Sequence, residues 1–475
     1  MSRGTSSTIR ESAGPFTPAE RRHAQRVALI AWGLFGSGWM AMCGGAPWVT
    51  FVRQRLHVTT FEYFLLCSLP LLTVLAQIPG SLLVESRRSR RPLFLKAAAA
   101  SRLIWLLIAA LPWAIPASHP HLRFTALLGL LLLGSALSHL STPAWFSWFA
   151  EMVPENVRGH YLGGRQALAT VTQLLMWVVV PLIVDWNSSF TVFTVIFVVA
   201  AVLGVTDIAC FLRVREPPMP PPREEERRAL PALLAPAKDR RFRGYLLYAL
   251  SESFMWGVAG PVFMLLALEY LKIDNFWSTF WVSTIPMVFT AVTLPMWGRV
   301  CDRFGYRPLL TFGTLASVVF PACWLLATPH LYWPFVLAAA VIGGTCTTAV
   351  SAADMSMMYD LTPRENRSTY IAYVMLASSL GAFLGPFLGG LAAGATEHVH
   401  LHLGGLALGN LHFLLIASFV VRLLHAAFVI PHLPEENPRP TRELARYLVD
   451  GPLSRVSSLT GRAKPAEGEE PAEEE

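Results

Sequence analysis

The sequence predicts an all-α integral membrane protein with twelve transmembrane helices in two pseudo-symmetric six-helix bundles. Of the 475 residues, 53% are apolar and only 15% are charged, too little charge for a water-soluble chain of this length. Apolar runs long enough to cross a bilayer recur along the whole chain, and one long polar break divides them into two sets of six. Most of the chain is therefore expected to lie in lipid.

Each predicted span is a run of about 20 or more predominantly apolar residues, the length that crosses a bilayer. Two divisions rest on short polar signals: Asp185 and Asn187 separate the fifth span from the sixth, and Pro329 and His330 separate the ninth from the tenth. The twelve predicted spans are 26–50, 60–84, 92–115, 122–152, 159–184, 188–213, 243–270, 275–298, 307–328, 331–360, 367–395 and 404–431.

The break between the halves lies at residues 214–242, where five prolines precede a run of glutamates and arginines. Such composition is typical of a solvated, semi-rigid connector. The residues after 432 turn polar, and the last ones, rich in Glu, Pro and Ala, are predicted to be disordered. The predicted organisation is an N-terminal tail 1–23, a bundle 24–213, a linker 214–242, a second bundle 243–432 and a C-terminal tail 433–475.

Lysine and arginine set the predicted orientation. If both termini are cytoplasmic, the external connections carry few of the 38 basic residues, whereas internal connections hold clusters such as residues 87–91. This asymmetry follows the positive-inside rule and predicts a multi-pass protein of the cytoplasmic (inner) membrane with both tails inside. The net charge of +7 is explained by topology, and no basic stripe with aromatic platforms indicates nucleic-acid binding.

Several classes of chemistry lack their sequence signals. The six cysteines are scattered, with no two at metal-ligand spacing, so we expect no metal site. Neither a phosphate-binding loop ending in Gly-Lys-Ser/Thr nor a nucleophile elbow is present. We therefore predict a protein that is not an enzyme, binds no cofactor and does not use ATP.

The two halves share a short internal repeat. An acid, a proline, an arginine and a tyrosine close one span and open the next, and they recur with identical spacing in the second half. The two copies are Glu151, Pro154, Arg158 and Tyr161, and Asp360, Pro363, Arg367 and Tyr370.

A second motif lies between the eighth and ninth spans, at Gly298, Asp302, Arg303, Gly305 and Arg307. In these residues the chain resembles the major facilitator superfamily, whose signature has this composition and position. The first-half copy is degraded, with Glu85 in place of the aspartate and Arg91 as the basic residue. The resemblance implies the twelve-helix fold, transport of a small solute by alternating access, a cavity lined by the first, fourth, seventh and tenth spans, and a monomer.

The motif residues are predicted to form a cytoplasmic latch between the halves. Carboxylates can face helix N-termini, and arginines can pair with acids on other helices, but only while the inner faces touch. The latch should stabilise the outward-open state and break in the inward-open state; the alternative is ordinary positive-inside anchoring. Its predicted members are Glu85, Glu151, Asp302 and Asp360 with Arg91, Arg158, Arg303 and Arg367.

Ionisable residues within spans are costly in lipid and commonly face a cavity or one another. Glu252, Asp354 and His139 are the best placed, and the two carboxyls are candidate proton carriers. Tyr248 and Ser351 extend polar stripes at helical spacing beside them. Trp39, Trp145 and Trp256 could stack a ring-bearing ligand. The alternatives are interhelical hydrogen bonds for the ionisable groups and core packing for the tryptophans.

Two further arginines lie within spans. Given the resemblance, Arg102 in the third span is expected to pair structurally with Asp207 in the sixth, whereas Arg422 in the twelfth has no acidic partner in the ninth. Together these features predict a proton-coupled secondary transporter of a small solute. The alternatives are uncoupled facilitated uptake of a sugar or metabolite, a transport-dead receptor or scaffold, and a membrane enzyme, for which no catalytic cluster is found. Export of amphiphilic cations and import of sugars both fit the residue types.

Overall fold

The computed structural model describes residues 16–219, 236, 238–362, 367–403, 406–435 and 440–448. In these residues, twelve helices are long and apolar enough to cross a membrane, so the predicted all-α fold with twelve spans is confirmed. The first to twelfth spans are Pro18–Arg55, Thr60–Arg87, Arg91–Ala114, Pro120–Met152, Val157–Trp186, Phe190–Arg213, Arg240–Tyr270, Asn275–Phe304, Tyr306–Leu326, Trp333–Leu361, Thr369–Ala395 and Asn410–His432.

The first and twelfth helices begin well away from their predicted starts at residues 26 and 404. The first helix starts at Pro18 because Thr17 caps it: the Glu20 N–H donates to the Thr17 hydroxyl at 3.3 Å, and the Glu20 carboxylate accepts from the Thr17 N–H at 2.9 Å. The twelfth helix starts at Asn410, not at 404, because the strands Leu401–Leu403 and Leu406–Leu408 pair antiparallel before it. The leucines of these strands lengthen the apolar run in the sequence, which is why the predicted helix begins too early.

The two six-helix halves meet along one side of the membrane-spanning region. We call the side with the arginine-rich connections at 87–91 and 303–307 the basic face, and the other side the opposite face. At the opposite face Arg53 makes a bidentate ion pair with Glu269, at 2.6 and 2.9 Å. The Thr50 hydroxyl donates to the Asn275 side-chain oxygen at 2.6 Å.

A carboxylate of the first half also caps a helix of the second half. Asp185 accepts hydrogen bonds from the backbone N–H groups of Asn275 and Phe276, both at 2.8 Å, at the start of the eighth span. These N–H groups have no partner within their own helix. Close by, a Cβ added to Gly390 of the eleventh span would lie 2.5 Å from the Cβ of Phe64 in the second. The opposite face is therefore closed by charged, polar and steric contacts together.

The halves are separated at the basic face. The hydrogen bonds and ion pairs that join described residues of different halves lie at the opposite face. On the basic-face portions of the fifth and eighth spans, a Cβ at Gly159, Gly163 or Gly298 would meet nothing within 4 Å. The conformation is thus open toward the basic face.

A duplicated helix cap reveals a part of the repeat that the sequence comparison missed. Glu216, just after the sixth span, accepts from the Ser89 hydroxyl at 2.9 Å and from the Arg90 N–H. Glu435, just after the twelfth, accepts from the N–H groups of Tyr306 at 2.8 Å and Arg307 at 3.1 Å. Each carboxylate satisfies free donors at the positive end of a helix, that of the third span or of the ninth.

The segment that carries Glu435 is packed against the bundle. Burial raises the pKa of the Glu435 carboxyl even though two N–H donors act in the other direction. Further along, Leu444 in the helical residues 441–448 is fully buried, and the ring of Tyr447 contacts that of Phe304 with centroids 5.3 Å apart. The described part of the C-terminal region is therefore a fixed element of the basic face.

Replacing Glu435 with alanine is expected to destabilise the protein by about 1 kcal/mol, because the substitution leaves two helix-terminal N–H groups without their acceptor. The measurement is the thermal unfolding midpoint of the purified protein in detergent. Glu443→Ala, at an exposed position of the same segment, is the control and should leave the midpoint unchanged. Equal midpoints for the two variants would show that the cap contributes nothing.

Candidate functional site

A cavity of about 300 Å³ lies inside the second half. The seventh and tenth spans form most of its wall, and both predicted carboxylates, Glu252 and Asp354, line it. Tyr248, Trp256 and Ser351 line the same cavity, so the structure brings five of the predicted pathway residues together.

Glu252 is surrounded by donors from two spans. One carboxylate oxygen accepts from the Trp256 indole N–H at 2.7 Å. The other lies 2.9 Å from Nε2 of His425 on the twelfth span, close enough for an ion pair when His425 is protonated, though not aligned as a hydrogen bond in this conformation. His425 is only 3% exposed. Sequence analysis missed this histidine, whose only signal was a titratable residue in an apolar helix.

Arg422 lies one helical turn before His425 and is fully buried. Its guanidinium stacks on the Trp256 ring at 4.0 Å and donates to the Ser317 hydroxyl of the ninth span at 2.9 Å. The partner in the ninth span is thus a serine, which a search for acids could not find. The twelfth span brings two basic side chains to the wall that carries Glu252.

Asp354 has a simpler environment. The buried Tyr245 hydroxyl donates to its carboxylate at 3.2 Å, and no basic side chain of the described chain is within ion-pair distance of it. The two carboxylates of this cavity therefore differ: Glu252 lies beside basic side chains of the twelfth span, and Asp354 has a neutral donor.

The first half contains a separate cavity of about 380 Å³. It is lined by aromatic and charged side chains from five spans, among them Trp32, Arg102, Trp145, Arg165 and Asp207. Trp145, a predicted pathway residue, therefore lies in a different cavity from the two carboxylates.

Arg102 and Asp207 form the pair predicted between the third and sixth spans. The guanidinium lies 4.0 Å from the carboxylate and 4.3 Å from the ring centroid of Trp39, and both charged residues are buried. The predicted pairing is confirmed. The arrangement matches that of the second half, where Arg422 stacks on Trp256, but there the cation comes from the last span of the half.

Asp207→Asn is expected to destabilise the protein by about 3 to 5 kcal/mol, since it leaves the Arg102 charge buried without its counter-charge. Removing both charges in Arg102→Met/Asp207→Leu should restore most of the loss. Thermal unfolding of the three proteins tests this, and a double variant as unstable as the single one would show that the pair does not act as a unit.

His139 and Trp39 line a third cavity, of about 340 Å³, also in the first half. The ring Nδ1 of His139 lies 3.2 Å from the side-chain nitrogen of Gln77 on the second span. The histidine is thus held by an interhelical contact and is not adjacent to Glu252 or Asp354, which line the cavity of the other half.

The signature residues lie at the basic face and contact their own half. Gly305 has φ of +90°, a conformation that favours glycine at this turn. Arg303 stacks on Tyr447 at 4.8 Å, and Arg307 donates to the Pro431 carbonyl at 2.6 Å. Asp302 is exposed and makes no ion pair within the part of the chain that the structure describes.

The contacts of the other proposed latch residues also lie within one half. Glu151 pairs with Arg90 at 3.3 Å, and Arg91 donates to the Leu212 carbonyl. Arg158 donates to the Val153 carbonyl at 3.2 Å. Asp360 accepts from the Tyr306 hydroxyl at 3.4 Å. Glu85 is exposed, and the side chain of Arg367 lies outside the described residues. Within the described part of the chain these residues make no contact between the halves, and the latch stays a prediction.

The sequence profile of the Major Facilitator Superfamily matches residues 27–280 and 278–463. The chain belongs to the major facilitator superfamily. Like this superfamily's known structures, it has the twelve-helix fold: it matches an inward-open structure of the xylose transporter XylE from E. coli at a TM-score of 0.61 with 14% identity, over 90% of this chain and 99% of that chain. A D-xylose-proton symporter matches at 0.64 with 16% identity, over 87% and 98%.

Among curated members of the superfamily, tetracycline resistance protein class H from Pasteurella multocida is 26% identical over 192 residues, which are 40% of this chain and 47% of that protein. The class E protein from Escherichia coli is 28% identical over 200 residues, 42% and 48% of the two chains. The chain thus spans about half the length of the curated relatives it matches.

Proposed function

We propose that this protein is a secondary active transporter that moves a small solute across the membrane by alternating access, coupled to protons, and that it is not an enzyme. The observation that carries the proposal is the pair of carboxylates, Glu252 and Asp354, on the wall of one cavity inside a superfamily fold that is open on one face. Ionisable groups at such positions are expensive and typically belong to ion pathways.

The proposed coupling of proton binding to helix movement rests on the spans that carry the neighbours of Glu252. Trp256 lies on the same span, but His425 and Arg422 lie on the twelfth. If the Glu252 carboxylate takes up a proton, its attraction to the basic side chains of the twelfth span weakens, and the seventh and twelfth spans can shift relative to each other. Proton binding and helix position are therefore linked, as a coupled transporter requires.

The basic face is proposed to be cytoplasmic, with both termini inside and the protein in the cytoplasmic (inner) membrane. The conformation described is then the inward-open one. In the outward-open state the two basic-face ends approach, and Asp302, Arg303 and the repeated acids and arginines form the latch. Export is the proposed direction, because the curated relatives are named as resistance proteins.

The test is reconstitution of the purified protein into liposomes that contain a pH-sensitive dye. Solutes from a panel that includes tetracycline are added with and without an imposed pH gradient. A coupled transporter moves protons only when a transported solute is present and accumulates that solute when a gradient is imposed. Solute movement that ignores the gradient would identify a facilitator, and proton movement without any solute would identify a leak.

A further inference from the structure

Arg165, on the fifth span, is a cation in the cavity of the first half, and no acid of the described chain lies within ion-pair distance of it. Its guanidinium carbon lies 5.2 Å from the ring centroid of Trp32 and 5.4 Å from those of Trp145 and Phe149. Its buried Nε has no hydrogen-bond partner, and none of the ion pairs between described residues includes it. The aromatic rings orient this guanidinium but do not neutralise it.

An arginine charge that pairs with nothing is costly at the depth where Arg165 lies. Arg165 lies ten residues into a helix that begins at Glu155, which corresponds to about 15 Å from the basic-face end. An arginine at such depth normally pairs with an acid or faces a functional cavity. The one acid on this cavity wall, Asp207, lies within ion-pair distance of Arg102 and attracts Arg165 only from farther away. The cavity therefore has a net positive wall with free N–H donors.

The rest of the wall defines the shape of the complementary ligand. Trp32, Trp145 and Phe146 provide flat apolar surfaces, while Ser138, Thr142 and Gln166 add neutral polar groups. A guanidinium binds carboxylates and other oxyanions in a bidentate manner, and aromatic walls favour planar bodies. A volume of about 380 Å³ is that of a site for a drug-sized molecule.

We propose that the cavity of the first half binds the substrate through its anionic group, that Arg165 is the residue that binds this group, and that the substrate class is planar amphiphilic organic anions. This inference rests on the proposed transport function and names its substrate class. It also assigns different tasks to the two halves: Arg165 in the first half binds the anion, and Glu252 and Asp354 in the second half carry protons. The cationic and sugar substrates considered from the sequence lack the charge that Arg165 would bind.

The test is equilibrium dialysis of full-length purified protein with radiolabelled 1-naphthoate and with its uncharged amide, 1-naphthamide. Wild type is expected to bind naphthoate at least tenfold more tightly than naphthamide. Arg165→Gln should abolish this preference and leave naphthamide binding unchanged. Arg165→Lys, which keeps the charge but loses the planar fork, should retain part of it. Arg299→Gln, at an exposed arginine of the eighth span, is the matched control and should behave as wild type.

Equal binding of naphthoate and naphthamide by wild type, or an undiminished preference in Arg165→Gln, would overturn the proposal. If Arg165→Gln elutes as aggregate in size-exclusion chromatography, Arg165→Lys decides: an unchanged preference contradicts bidentate binding, and a reduced one supports it. The same experiments distinguish a failure of this proposal from a failure of the proposed transport function. Naphthoate binding that depends on Arg165, without proton-coupled movement of any solute, would keep the anion site and remove proton-coupled transport. Proton-coupled movement of neutral or cationic solutes, without naphthoate binding, would keep proton-coupled transport and remove the anion site.

Discussion

In Glu252→Gln, accumulation of solute driven by a pH gradient is expected to fall at least tenfold while the fold is retained. The amide oxygen of glutamine can still accept the Trp256 indole hydrogen bond, but the side chain can no longer take up a proton. Asp354→Asn should have the same kind of effect, because its amide can still accept from Tyr245. The measurement is solute accumulation in proteoliposomes with and without the gradient.

The two variants also separate coupling from binding. Exchange of labelled for unlabelled solute at equal pH requires movement of the loaded protein but no net proton transfer, so it should persist in a variant that has lost only the proton carrier. Glu443→Gln, at an exposed position outside the spans, is the control and should match wild type in both assays. If Glu252→Gln and Asp354→Asn both accumulated every solute normally, the carboxylates would be structural and the proton-pathway proposal wrong.

A disulfide or short thiol cross-link between Thr50→Cys and Asn275→Cys is expected to reduce transport at least tenfold, and a reductant should restore it. The side-chain oxygens of these residues lie 2.6 Å apart, and they belong to different halves at the opposite face. Alternating access requires this face to open, so a covalent bond across it holds the protein open toward the basic face. The experiment uses a background in which the native cysteines are replaced by alanine.

The matched control is a cross-link within one half. Thr73 and Ser135 lie on the second and fourth spans, with hydroxyl oxygens 2.7 Å apart. Cysteines at these two positions should form a bond of similar length without any effect on transport, because the helices of one half move together. Transport that survives the Thr50–Asn275 cross-link would contradict the idea that the halves separate at this face.

The features that could be predicted from the sequence are those that the bilayer constrains directly, namely the length of the apolar spans and the rarity of charges within them. Spans must be about 20 apolar residues long, and a charge within one is visible at once, so the twelve helices and the carboxyls Glu252 and Asp354 could be found. Sequence reasoning failed at the paired strands Leu401–Leu403 and Leu406–Leu408, whose leucines resemble the start of a helix. The pairing of Glu151 with Arg90 was also not predicted, because adjacent arginines at a helix start cannot be distinguished without knowing which side chain points inward.

Contacts between residues of different spans were the main feature that the sequence alone could not predict. His425 and Arg422 lie more than 150 residues from Glu252 along the chain, and helical spacing says nothing about which spans are adjacent. Arg165 could not be singled out from the sequence, since the absence of an acid within ion-pair distance of it is visible only when the cavity is known. The Arg102–Asp207 pair could be predicted because the superfamily resemblance supplied the missing adjacency of the third and sixth spans.

The caps at Glu216 and Glu435 have a practical consequence for anyone who tags or shortens this protein. A fluorescent reporter fused after His432 would remove the acceptor for the Tyr306 and Arg307 N–H groups and the buried anchor Leu444, although every span would still be present. Such a fusion protein would insert into the membrane and be fluorescent, but the N-terminus of its ninth span would be uncapped. Reporters should therefore be attached beyond Leu448, and poor yield of a shorter version should not be attributed to its membrane helices.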